Sequence, residues 1–170
     1  MRPVAITLTV LATVCCSPVS SADGPEKRSA EAQVLDRFVG AWDIKMTIKA
    51  PGKEPVHMDI SETRRLSRGG AVLVFENPDP PEFHMMWTHD RNAKKYVGVW
   101  MFGGDRGLLT GTWEEQTSTM KFEGTGADGS TSVSTFRFID KDHSESSAVY
   151  RDRAGKVVLE VTWKHTRRGR

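Results

Sequence analysis

The side chains that could do acid–base or metal chemistry are few and far apart in this sequence. The chain has five histidines, and the closest two, His84 and His89, are five positions apart, which places them on opposite faces of a strand. No pair has the spacing of a structural zinc site. Asp90 follows His89, but a general base needs a nucleophile in reach and the sequence places none there. The sequence therefore predicts no catalytic residue and no metal site.

Both cysteines, Cys15 and Cys16, lie in a segment with the layout of a secretory signal peptide. A basic start is followed by an apolar run and then by the small residues Ser20-Ser21-Ala22. The run is too short to span a bilayer as a helix. We therefore predict a signal peptide over residues 1–22 and export to the periplasm or the cell exterior. A lipid anchor is the alternative, although Val14 fits poorly in front of a modified cysteine.

The charge balance argues against nucleic acid as a partner. The chain has 24 basic and 22 acidic residues and a formal net charge of +2, whereas nucleic-acid-binding domains carry a concentrated basic surface. The last six residues, 165–170, are locally basic, and we expect them to form a solvated chain end. Binding to an anionic surface is the less favoured alternative.

Hydrophobic periodicity predicts one short helix followed by strands. The apolar residues between Ala30 and Phe38 fall on one helical face, and from Trp42 onward apolar and polar residues alternate in about ten short runs. An antiparallel meander of this length closes into a barrel. We predict an all-β, about ten-stranded antiparallel barrel over residues 30–166. A flexible segment, 23–29, precedes it and a basic tail, 167–170, follows it.

Large apolar residues of inward parity could line a cavity in such a barrel. Methionine and tryptophan together make adaptable apolar pockets. The candidates are Trp42, Met46, Met58, Phe83, Met85, Trp87, Trp100 and Trp163. Trp42 is also expected to close one end of the barrel. A barrel packed solid with these side chains is the alternative, because protein interiors usually fill themselves.

Two arginines are harder to place. Glu62 and Arg64 continue the inward parity of Met58, and charges are not buried unpaired. Either a bulge turns the strand over at this point, or the two residues mark a polar opening where Arg64 could pair with a ligand carboxylate. Arg137 raises the same question on a later strand. Both arginines are therefore candidate ligand contacts.

Gly40-Ala41-Trp42 opens the first strand directly after the helix, and this resembles the Gly-x-Trp signature of lipocalins and the wider calycin superfamily. A closer resemblance, to the bacterial domain-of-unknown-function family 1579, covers nearly the whole chain after the signal segment. The similar stretches are Arg37 to Trp42, Leu66 to Leu73, Asp90 to Trp100, Phe136 to Asp140 and Val161 to Lys164. His89 departs from the family, in which a tyrosine usually precedes the aspartate. The resemblance implies a lipocalin-like (calycin-like) barrel of unassigned activity and transfers no catalytic residue.

Haem is a further alternative. The nitrobindin-like proteins, which are related to calycins, hold haem through a histidine near the C-terminus, and His165 shares the inward parity of Trp163. Their pattern has a glycine two positions after the tryptophan, where this chain has Ile44. We favour a rim or solvent histidine and predict no cofactor.

These observations predict an exported barrel that binds or carries one small apolar or amphipathic molecule. A solid barrel that acts as a protein interaction module is the second alternative, and an enzyme of unknown reaction is the third. The ligand's identity and the oligomeric state are not determined by the sequence.

Overall fold

The computed structural model describes residues 28–77 and 83–169. A short helix α1 (Ala30–Val34) continues into a single 3₁₀ helix (Leu35–Phe38). The strands that follow are β1 (Gly40–Lys49), β2 (Val56–Leu66), β3 (Val72–Asn77), β4 (Phe83–Asp90), β5 (Lys95–Phe102), β6 (Asp105–Glu114), β7 (Thr119–Gly126), β8 (Thr131–Phe138), β9 (His143–Arg151) and β10 (Val157–Arg167). The predicted all-β architecture with one leading helix is confirmed.

The strands form an antiparallel meander that closes on itself. Each strand pairs with the next along the chain, and β1 pairs with β10 from Trp42 opposite Arg167 to Lys49 opposite Glu160. Closure removes the unpaired edges that an open sheet would expose. The predicted antiparallel barrel is therefore confirmed as a closed ten-stranded one.

Alternation along each strand decides what points inward. On β1, Trp42 and Ile44 are buried while Asp43 and Lys45 are exposed, because successive side chains of a strand point to opposite faces of the sheet. On β10 a register shift between Val157 and Leu159 interrupts the pairing with β9.

The helical segment plugs one end of the barrel. Ser29 caps α1 by accepting a hydrogen bond from the amide of Ala32 at 3.2 Å. Leu35 and Phe38 of the 3₁₀ helix are fully buried, and the Phe38 ring lies 5.1 Å from that of Trp87 and 4.8 Å from that of Phe136. We call this the plugged end and the opposite end of the barrel the mouth.

Glycines let large rings lie flat against the barrel wall. Gly98 stands opposite Trp87, and Gly107 stands opposite Trp100. A Cβ atom at Gly107 would come within 2.4 Å of the Trp100 indole, and one at Gly98 within 2.6 Å of the Trp87 indole. A side chain at either position would therefore push the ring into the lumen.

One sequence expectation differs from the structure at the end of a strand. The chain end predicted to be solvated from His165 onward instead continues β10 to Arg167, because β1 offers it pairing partners. The predicted signal peptide, with Cys15 and Cys16, lies outside the described residues. In the described part of the chain, no helix is long and apolar enough to cross a membrane.

Candidate functional site

The plugged half of the barrel encloses a polar cluster of four residues. The cluster comprises Glu62 and Arg64 of β2, Ser146 of β9 and His165 of β10. The Arg64 Nε atom donates to Glu62 Oε1, and Arg64 Nη2 lies 2.9 Å from His165 Nδ1. The other ring nitrogen, His165 Nε2, lies 2.8 Å from Ser146 Oγ. Side chains from three strands are thus joined into one network.

Aromatic rings seal Arg64 from solvent. Its guanidinium carbon lies 4.9 Å from the ring centroid of Trp42 and 5.1 Å from those of Phe75 and Phe136. Only 2 % of the residue is exposed, and the buried Nη1 atom has no hydrogen-bond partner among the described residues. The ring faces attract the cation in place of an acceptor.

This geometry corrects the expectation that Glu62 and Arg64 mark a bulge or a polar opening. The register of β1 with β2 runs without a shift from Ile48 opposite Val56 to Gly40 opposite Arg64. Both charged side chains therefore point inward, and each is compensated by the other. Sequence reasoning missed this because it had no way to see that Arg64 and Glu62, two residues apart on one strand, also meet rings from three other strands.

His165 is also inside the barrel, at 5 % exposure, and not at the rim as expected. Burial, reinforced by the neighbouring Arg64 charge, lowers the pKa of His165 to about 2. The imidazole is therefore neutral. Because the arginine can only donate, Nδ1 accepts from Arg64, and Nε2 carries the proton and donates to Ser146.

The Ser146–His165 contact is therefore not an activated nucleophile. In a catalytic triad the histidine accepts the serine proton, and a carboxylate holds its other nitrogen. Here the proton lies on the nitrogen that faces the serine, and a cation occupies the carboxylate's place. The pair serves packing and polar satisfaction in the core.

Haem does not fit this histidine either. An axial ligand presents a free ring nitrogen to the iron, whereas both nitrogens of His165 have partners within 2.9 Å. The Phe136 ring also packs 4.8 Å from the imidazole.

On several strands, burial of the inward-facing side chains falls from the plugged end toward the mouth, whereas Ala148 of β9 and Val161 of β10 stay buried in the mouth half. On β1, Trp42 and Ile44 are buried, but Met46 and Ile48 are only partly so. At the strand ends the exposed fraction of Val56 reaches 54 %. The large apolar side chains of the mouth are Met46, Ile48, Val56, Met58, Phe83, Met85, Trp100, Phe102, Leu159 and Trp163. Solvent thus reaches large apolar side chains at this end of the barrel.

The residues predicted as ligand contacts divide into three groups. The register places Trp163, Met46 and Met58 side by side on β10, β1 and β2, and Trp100 belongs to the mouth as well. Trp42, Trp87 and Arg64 lie in the sealed core. Arg137 lies on the outer surface with Nη2 3.5 Å from Glu145 Oε2.

Phe102 escaped the prediction although the sequence carried a signal for it, since it has the same inward parity as its neighbour Trp100. Phe83 and Met85, which are among the residues predicted from the sequence to line a cavity, lie at the mouth and are partly exposed. The inward parity of these residues was visible in the alternation, but their depth in the barrel was not.

Two grooves flank the plugged end. The smaller, of about 320 Å³, lies between α1 and strands β4–β6 and is lined by Tyr96 and Trp113 among others. The Tyr96 hydroxyl donates to the carbonyl of Glu31 at 2.8 Å, and burial raises the pKa of Tyr96 to about 12. The larger, of about 1010 Å³, runs along the C-terminal part of β10 beside Arg167. Both lie away from the mouth.

A closed ten-stranded meander, plugged by a leading helix at one end and apolar at the other, defines a calycin-like barrel protein. The chain belongs to the family described as Protein of unknown function (DUF1579), whose model matches residues 27–167. This confirms the family resemblance read from the sequence. No curated protein matches the chain.

Solved structures share the fold at low sequence identity. Rv2717c from M. tuberculosis is similar with a TM-score of 0.65 and 14 % identity over 83 % of this chain and 99 % of its own. The S-type phycobiliprotein lyase CPES from Guillardia theta is similar with a TM-score of 0.59 and 10 % identity, over 84 % of this chain and 95 % of its own. A protein of the DUF3598 family from Nostoc punctiforme is similar with a TM-score of 0.52 and 12 % identity, over 79 % of this chain and 48 % of its own. At these identities the likeness concerns the fold alone.

Proposed function

We propose that this chain is an exported carrier that binds one small apolar or amphipathic molecule in the mouth of its barrel. The observation that carries the proposal is the burial gradient of the inward-facing side chains. Large apolar residues that face into the barrel remain partly exposed in the mouth, and Phe102 is 45 % exposed. Covering such a surface with an apolar ligand is favourable in proportion to the area removed from water.

The chemistry of the mouth favours an apolar chain or ring as the bound part of the ligand. Met46 and Met58 are flexible and polarisable, so they adapt to ligands of different shape. On the opposite side, the Trp100 indole packs against Gly107 of the neighbouring strand. Arg64 does not bind the polar end of the ligand, because Glu62 and three rings already enclose it.

Export is the second part of the proposal, and the signal-like pattern of residues 1–22 supports it. N-terminal sequencing of the protein recovered outside the cytoplasm should give a chain that begins near Asp23. A chain that begins at an acylated Cys15 or Cys16 would replace the freely diffusing carrier with a lipid-anchored one.

A titration with 11-(dansylamino)undecanoic acid tests the binding site. Binding in the mouth should raise the dansyl emission and quench the tryptophan emission, since Trp100 and Trp163 line the mouth. Met58→Gln should weaken binding about tenfold, because an amide without a partner in an apolar site costs about 1–3 kcal/mol.

His57→Gln is the matched control. His57 neighbours Met58 but points outward, where its Nδ1 lies 3.0 Å from Thr47 Oγ1, so its replacement should leave the affinity unchanged. Equal weakening in both variants would place the site elsewhere. If the folded wild-type protein does not bind the probe, the barrel is filled and the interaction-module alternative is favoured.

A further inference from the structure

The outer surface of strands β3–β6 carries a continuous apolar face. Val74, Met86, Val99 and Leu108 are direct cross-strand neighbours in one row across the four strands. Leu108 is 65 % exposed and Met86 is 38 % exposed. In the next row toward the plugged end, Val72, Thr88, Val97 and Thr110 occupy the same strands. We call these two rows the apolar face.

Other parts of the outer wall do not share this composition. Lys121, Glu123 and Thr125 point outward on β7, and Thr135 and Arg137 do so on β8, where the exposed Val133 stands between Glu123 of β7 and Val149 of β9. Soluble proteins rarely expose contiguous apolar patches, and larger ones mark interaction surfaces. The apolar face is therefore a local feature of four adjacent strands.

Charged residues flank the apolar face in a self-complementary order. Toward the mouth, the adjoining row reads Glu76, His84, Met101 and Arg106 from β3 to β6. Its acidic and basic members thus stand at opposite edges. Toward the plugged end, Asp90 of β4 stands opposite Lys95 of β5.

We propose that a second copy of this chain docks on the apolar face through a two-fold axis that runs parallel to the strands, between β4 and β5. A two-fold interface uses the same surface on both copies. This axis brings β3 of one copy opposite β6 of the other, and β4 opposite β5, at the same height along the strands.

The charges select this occupant. In each mouth-side row, Glu76, which also pairs with Arg65 of its own chain at 2.6 Å, faces Arg106 of the other copy, and His84 faces Met101. Asp90 of one copy faces Lys95 of the other. In the row formed by Val74, Met86, Val99 and Leu108, every side chain faces an apolar side chain of the other copy. Val74 faces Leu108, and Met86 faces Val99. An unrelated protein would need the same alternation of charges at the same spacing.

The dimer is separate from the proposed ligand site. The apolar face points away from the lumen, and the mouth opens at the end of the barrel. Loss of the dimer and loss of probe binding are therefore distinguishable results. The two copies keep both mouths open because the axis runs along the wall.

Sedimentation equilibrium of the purified protein tests the proposal. The wild-type protein should sediment with twice the chain mass, and Leu108→Glu should sediment as a monomer. Val133→Glu is the matched control, because Val133 is 57 % exposed on β8 and lies outside the apolar face. It should remain a dimer. A monomeric wild type at 100 µM, or a Leu108→Glu dimer, would overturn the proposal.

A charge exchange tests the orientation of the two copies. Arg106→Glu alone should weaken the dimer at least tenfold, because two acidic side chains then face each other. Adding Glu76→Arg to Arg106→Glu should restore most of the association, whereas Glu76→Arg alone should weaken it. Circular dichroism checks that each variant is folded. A folded double variant that associates no better than either single variant would rule out this two-fold arrangement.

Discussion

Arg64 shows how an interior charge is accommodated in an apolar barrel. Its parity was readable from the alternation of β2, but parity alone suggested an opening to solvent. In the structure its neighbour Glu62 provides the counter-charge, His165 accepts one N–H, and three rings cover the remaining surface. Burial lowers the pKa of Arg64 and the Glu62 carboxylate opposes this; arginine remains charged because its pKa starts so high.

Replacing Arg64 should therefore destabilise the fold. Arg64→Met leaves Glu62 buried without its cation, which typically costs about 3–5 kcal/mol in the free energy of unfolding. Arg65→Met is the control, because Arg65 points outward and forms an exposed pair with Glu76. Urea unfolding measures both, and we expect little change for the control. Similar midpoints for the two variants would show that Arg64 is not sealed in the core.

His165 should make the protein sensitive to acid. Its pKa is about 2 in the folded protein and about 6.5 in an unfolded chain. Between these values the unfolded state binds a proton that the folded state does not, so stability falls as the pH drops below about 6.5 and is retained above it. The loss from pH 7 to pH 5 should approach about 2 kcal/mol.

A comparison with His165→Gln separates the effect of His165 from the titration of the acidic residues. Glutamine can accept from Arg64 and donate to Ser146, as the neutral imidazole does, but it does not titrate. The difference in unfolding free energy between wild type and variant should therefore change with pH between 7 and 5. A constant difference would mean that His165 has the same pKa in the folded and unfolded states, which would contradict its burial beside Arg64.

At the scale of elements, β1 and the 3₁₀ helix are fixed to each other by Trp42. The indole N–H donates to the carbonyl of Phe38 at 2.9 Å, and the Arg167 guanidinium of β10 lies 4.1 Å from the ring centroid. One side chain thus connects the plug, the first strand and the last strand. These contacts of Trp42 explain why the Gly-x-Trp motif stands where the 3₁₀ helix meets β1.

Trp42→Ala should lower the unfolding free energy by about 3–5 kcal/mol, the usual cost of removing a large buried ring. Trp42→Phe keeps much of the ring but leaves the Phe38 carbonyl without its donor, so its loss should be smaller, about 1–3 kcal/mol. Chemical denaturation measures the loss of unfolding free energy in both variants and shows which loss is larger. A loss below about 1 kcal/mol for the alanine variant would match an exposed residue and contradict its role in the plug.

At the scale of the whole molecule, the barrel separates two surfaces. The mouth presents large, partly exposed apolar side chains at one end, and the apolar face of β3–β6 presents others on the wall. Closure of the sheet makes this possible, since inward and outward residues alternate along every strand. A single strand such as β5 therefore supplies Trp100 to the proposed ligand site and Val99 to the proposed dimer interface.

The amino-acid sequence by itself determined the strand count, the leading helix, the barrel and the family. These follow from local patterns: period-two alternation, turn residues between runs, and motifs such as Gly40-Ala41-Trp42. Such patterns are properties of residues close together in the chain, so they can be recognised without the tertiary structure.

Only the tertiary structure decided which inward residues are sealed and which line the mouth. Trp42 and Met46 share a strand and a face, yet one is fully buried and the other partly exposed, because the plug covers one end of the lumen. The partners of Arg64 and His165 were equally unreadable, since they are 101 residues apart. Depth in the barrel and contacts between distant strands arise from closure, which no local pattern encodes.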